Sequence, residues 1–172
     1  MADNRVSIQM IKDEVSMYDE YVEIPVPVGG RELTVKMYPY FKPEKVRDLV
    51  SSLTEFYQLC EKEKVTVPEI DQDDLIGYFI VKYFTDIKFS RSKKAKSIFE
   101  EFKVAQNSTL FKVLMETFPK ESIYSVHDRI FDVLKVSAEY EANKEKYKNM
   151  IDELPLENKE IFKSLQNKLE VQ

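Results

Sequence analysis

Two adjacent glycines, Gly29 and Gly30, separate two runs in which apolar and polar residues alternate, VEIPVPV before them and RELTVKM after them. This stretch constrains the chain more than any other, because alternation at period two specifies a half-buried strand and a Gly-Gly pair supplies the positive φ angles of a two-residue hairpin turn. Such a loop sets the register. Val28 then faces Arg31, Val26 faces Leu33, Ile24 faces Val35 and Val22 faces Met37 on one side. Pro27 with Glu32, Pro25 with Thr34 and Glu23 with Lys36 form the other. The first side is apolar and must lie on something, since an isolated hairpin is marginal in water. Pro25 and Pro27 fall where a strand N–H would point away from the partner strand, so the outer edge of the first strand resists addition of another. The helices after Pro43 are the surface available to the hairpin, which reads first as a lid on a helical core and second as a partner site.

The remainder reads as helix. Pro43 and Glu44 open one, and Val46, Leu49, Val50, Leu53, Phe56, Tyr57 and Cys60 recur at spacings of three and four. It gives out in EKEKVTVPEI, after which Asp71, Asp73 and Asp74 crowd the start of LIGYFIVKYF, residues 75–84. That segment is apolar nearly all round and is the expected centre of the fold. The acidic cluster fails as a calcium loop, because one opened by Asp71 would put Ile76 where glycine is required and Lys82 where the bidentate glutamate belongs. Capping and compensation of the helix dipole account for it better. Asn107-Ser108-Thr109 can cap a further short helix that Pro119 ends.

Between Pro119 and Pro155 there is neither proline nor glycine, and Ile123, Val126, Ile130, Val133, Ser137, Tyr140, Lys144, Tyr147, Ile151 and Leu154 form a heptad stripe with two polar interruptions. Phe131 and Leu134 widen it, which places that half in the core; EYEANKEKYKNM, charged everywhere but on the stripe, extends past the body. Phe162, Leu165 and Leu169 mark a last helix folding back. The expected organisation is an N-terminal arm over 1–21, a β-hairpin over 22–40, a helical core over 43–120, and a long helix with a C-terminal helix over 121–172. The fold class is mainly α, with the N-terminal hairpin packed on a helical body.

Composition narrows function by exclusion. The chain has 172 residues, 43% hydrophobic and 33% charged, with a net charge of -5 that draws it to neither nucleic acid nor anionic lipid. The basic residues Lys88, Arg91, Lys93, Lys94 and Lys96 cluster without an RNA- or DNA-reading motif, so a nucleic-acid-binding regulator is only an alternative reading. The N-terminus lacks the pattern of a signal peptide, no apolar run is long enough to span a bilayer, and a single cysteine, Cys60, points to a reducing, cytosolic setting. An enzyme is not expected. His127 is the lone histidine, and no glycine pattern cradles a phosphate or a dinucleotide. Neither cofactor nor metal is implied.

GGRELTVKMYPYFKPEKVRDLVSSLTEF and LIGYFIVKYFTDIKF give the stretch from about residue 22 to 120 an order and texture that resemble the tail assembly chaperones of siphophages and prophages of Gram-positive bacteria. Those proteins are short, acidic and mainly helical, and many open with a hairpin whose second strand is similar to ELTVK. The resemblance implies a cytoplasmic protein of the bacterial host that coats the helical tape-measure protein before the tail tube polymerises, with tail-tube subunits as a second partner. Helix-in-groove contact is the physics of that task. The contact candidates are Phe56, Tyr57, Val133, Tyr140, Tyr147 and Ile151, each also explicable as a core residue. Self-association through the long helix is the alternative from a different class.

Overall fold

The computed structural model describes residues 5–153, and the last predicted helix, with Phe162, Leu165 and Leu169, lies outside them. The chain divides into two compact units, residues 1–130 and 131–172. In the first, helix α1 (Ile8–Val15) and a 3-10 turn (Ser16–Asp19) precede strands β1 (Val22–Val28) and β2 (Arg31–Met37), and helices α2 (Pro43–Glu63), α3 (Gln72–Phe84), α4 (Ala95–Gln106) and α5 (Thr109–Thr117) follow. Helix α6 (Lys120–Glu153) begins in the first unit and continues into the second.

The hairpin has the predicted register throughout, from Val22 opposite Met37 to Val28 opposite Arg31. Gly29 and Gly30 both take positive φ, +58° and +76°, as a type I′ turn requires. Ile24, Val26, Val35 and Met37 are buried, while Val22, Val28 and Leu33 stay about half exposed, so the cover reaches Met37 at the open end of β2 but leaves Leu33, opposite Val26, partly outside. The outer edge of β2 is occupied by the chain itself. Met37 bridges Thr85, Phe84 O accepts from Tyr38 N–H at 2.9 Å, and the Asp86 carboxylate accepts from Lys36 N–H at 2.9 Å. Helix α5 packs against β1. The hairpin is thereby seated on the end of α3 and on α5.

Helix α3 is the centre of the core, as its composition predicts. Leu75, Gly77, Tyr78, Phe79, Ile80, Val81 and Phe84 are all buried, and the helix packs against α2, α4 and α5. Gly77 permits the close approach of α5, because a Cβ there would stand 3.2 Å from both Met115 Cε and Phe111 Cζ. Phe84 stacks on Phe41 at 3.7 Å between ring centroids, and Phe41 meets Phe118 edge-on at 5.3 Å. The Tyr78 hydroxyl donates to the Glu101 carboxylate, whose other oxygen accepts from Ser90 N–H at 2.8 Å. This joins α3 to α4 and fixes the extended segment between them. Burial and that carboxylate together push the Tyr78 phenol far above its ordinary pKa.

Local rules hold for part of the acidic cluster: Asp73 and Asp74 stand in the first turn of α3, where they compensate the helix dipole, but the expected cap at Asp71 does not form. Asp71 stands at the N-cap of α3 but makes no side-chain capping bond; its buried carboxylate accepts from Lys103 Nζ at 2.6 Å and from Gln106 Nε2 at 3.2 Å, both on α4. Asp74 accepts from the same Gln106 nitrogen at 2.6 Å. Asp71 and Asp74 form an interhelix clamp. The hydrogen bond from the Lys103 ammonium holds the Asp71 carboxyl below the usual carboxylate range. A depressed folded-state pKa contributes stability that is complete above the unfolded value of about 4 and is lost as pH falls through the folded value. In urea titrations the stability difference between the wild type and D71N is therefore largest above about pH 5 and shrinks towards pH 3; a pH-independent difference would contradict the clamp.

By contrast, Ser108 caps α5 as expected, its hydroxyl accepting from Phe111 N–H at 3.1 Å. Helix α2 ends on Lys64 in the left-handed region at φ +56°, with Val65 N–H donating to Cys60 O at 2.8 Å.

Candidate protein-binding surface

Helix α6 has 34 residues and so is about 51 Å long. Its first turns belong to the core of the first unit: Val126 is fully buried, Ile123 and Ile130 are half-buried, and Ser122 Oγ donates to Pro39 O at 2.6 Å. After Ile130 only Val133 among the described side chains is half-buried, and those around it are exposed. Phe131, placed in the core by its position beside the stripe, is 67% exposed, and Leu134, placed there on the same ground, is 59% exposed. Periodicity defines a face but not what covers it: the expected core half holds for Ile123, Val126 and Ile130 and fails for Phe131 and Leu134.

Two apolar faces result. At 100° per residue, Val133, Val136 and Tyr140 fall within an arc of about 60°, and Tyr124, Phe131 and Leu134 within one of about 80° on another side. Val133 is half-buried, and the other five are exposed. A helix with apolar side chains on two sides and acids and bases between them has the chemistry of a partner-binding element, since large exposed apolar groups cost free energy until they are covered. Tyr147 and Ile151 continue the first arc in sequence, but their side chains lie outside the described set.

The other two candidates stand on α2, in the first unit. Phe56 is 1% exposed, its ring against Phe79 and Tyr57, so it is a core side chain and offers no outer surface. Tyr57 is 38% exposed. Burial raises the pKa of both the Tyr57 phenol and the neighbouring Cys60 thiol, which leaves the cysteine a protonated, packed group.

Sequence reasoning missed Tyr124, Phe131, Leu134 and Val136 as surface residues, and it missed α1 altogether. That helix is announced by Ser7, whose hydroxyl accepts from Met10 N–H, and by Ile8, Ile11 and Val15 at spacings of three and four. None of its residues is buried. Among the described residues no His, Cys, Asp or Glu group converges to hold a metal ion, and no helix is long and apolar enough to cross a membrane.

A mainly α architecture with an antiparallel hairpin at its front, carrying a long helix with uncovered apolar faces, defines the class. Within it the YomO family model matches residues 8–170, and the chain belongs to that family. A relative is the SPbeta prophage-derived protein YomO of Bacillus subtilis (strain 168), 24% identical over 128 residues that cover 74% of each chain; the family is thus associated with a prophage. No solved structure matches the chain.

Proposed function

We propose that this chain is a non-enzymatic tail assembly chaperone of a prophage, working in the cytoplasm of the bacterial host and holding the helices of a tape-measure protein against the exposed faces of α6. The observation that carries the reading is the run Phe131, Leu134, Val136 and Tyr140, each exposed by 59% or more on one continuous helix. A tape-measure protein presents apolar heptads that aggregate when bare, and a helix with its own apolar arcs covers them by helix-on-helix packing. The prophage origin of the Bacillus relative supports the setting, and the resemblance over residues 22–120 supplies the client. Tail-tube subunits are the second partner of the same reading.

Co-expression tests it. A tape-measure protein of the same prophage should be insoluble alone and soluble with the chain present, and unchanged solubility would overturn the assignment. The heptad spacing on α6 favours one competing reading, self-association, in which α6 pairs with a second copy. A sedimentation mass that rises with concentration in the absence of any client would favour that reading.

A further inference from the structure

We propose that the groove between α2 and α3 is a second protein-docking site, which takes an acidic helical segment bearing apolar anchors. The inference rests on the reading of this chain as a protein-binding module and specifies the charge of what it holds. Along α2 the groove is lined by Ser52, Glu55, Leu59 and Lys62, with the buried ring of Phe56 beneath them. These residues lie at spacings of three and four and give a wall about 15 Å long at 1.5 Å per residue, room for roughly ten residues of helix. The ring of Tyr83 on α3 gives the accessible part of the floor, over the buried Phe79 and Ile98, and the cavity measures about 490 Å³. The Tyr83 and Ser52 hydroxyls are bonded to each other at 2.6 Å, so the floor is polar-satisfied where the two helices meet.

Charge selects the occupant. Three lysines, Lys62, Lys82 and Lys93, line the groove against one acid, Glu55. On a chain of net charge -5 this is a local reversal of sign. Lys82 is partly engaged, its ammonium lying 5.8 Å from the Tyr78 ring and 5.9 Å from that of Phe89. Lys62 and Lys93 are exposed and make no ion pair among the described residues. The first turn of α4, beside Lys93, carries no acid, so the positive end of its dipole adds to the rim. A short acidic segment meets only this local field, whereas a long polyanion also meets the overall negative charge, which favours a protein segment over nucleic acid.

Fluorescence anisotropy on the full chain decides this with defined probes: a fluorescein-labelled 14-residue Leu/Glu amphipathic peptide, its Leu/Lys counterpart, and a labelled 12-nucleotide single strand. The Leu/Glu peptide should bind, more weakly as salt rises, and the other two should not. K62E/K93E should weaken it about tenfold or more and K62R/K93R should retain it. V136E/Y140E, which strikes α6, should leave it unchanged. Equal binding of the two peptides, no binding of the acidic one, preference for the oligonucleotide, indifference to K62E/K93E, or loss in V136E/Y140E would each overturn the proposal. Client solubilisation by a wild-type chain that does not bind the Leu/Glu peptide would sink the groove and spare the α6 reading.

Discussion

Replacing Phe84 with alanine lowers the unfolding free energy by about 3–5 kcal/mol, which for a chain of this size moves the thermal midpoint down by roughly 6–20 °C. The size of the effect follows from the position. Phe84 is fully buried, its ring is stacked on Phe41, and Phe41 in turn meets Phe118 after α5, so one truncation opens a cavity where α3 and the Phe41 and Phe118 connections meet. The backbone of the same residue accepts from Tyr38 N–H, which couples the cavity to the seat of the hairpin. Phe131→Ala is the matched control: the ring is 67% exposed, and its loss should change stability by no more than about 0.5 kcal/mol. Chemical denaturation of the two variants side by side separates a core aromatic from a surface one. Equal losses would contradict the burial pattern.

The second large effect is on binding. V136E/Y140E places two carboxylates on one arc of α6 and should weaken client capture at least 30-fold, about 2 kcal/mol, since an interface tyrosine is often a binding hot spot and a buried unpaired charge opposes docking. Both side chains are exposed, at 64% and 66%, so the fold should be untouched and the circular dichroism and melting curve unchanged. Co-purification of the tape-measure protein with tagged wild type and variant checks it. Full retention by the variant would remove α6 from the interface.

The elements that were legible in the sequence are those whose determinants are local. Gly29-Gly30 set the turn and hence every pair of the hairpin, Pro43 placed the start of α2, Ser108 the start of α5, and the unbroken apolar run of 75–84 marked the centre. What was not legible depended on residues far apart. Asp71 was read as a cap because its neighbours in sequence are a helix start, yet its partners Lys103 and Gln106 stand 32 and 35 positions away. The bridge from Met37 to Thr85 joins segments that no periodicity relates. The candidate surface was half legible for the same reason. Val133 and Tyr140 were picked out by spacing, but Phe131 and Leu134 were assigned to the core because apolar spacing looks the same whether or not another element lies against it. Helix α1 is hard to read from sequence because the cap at Ser7 and the spacing of Ile8, Ile11 and Val15 extend over only two turns.

Amide hydrogen exchange of the chain with and without co-purified tape-measure protein, read along α6, reports directly whether this helix holds the client. Exposed helix with no tertiary cover exchanges readily, so the free chain should lose its protection early across residues 131–146 and keep it in α3. Binding should slow exchange across 131–146 by tenfold or more while α3 stays as it was. Unchanged exchange along α6 in a complex that nonetheless forms would contradict the account and move the client to another surface.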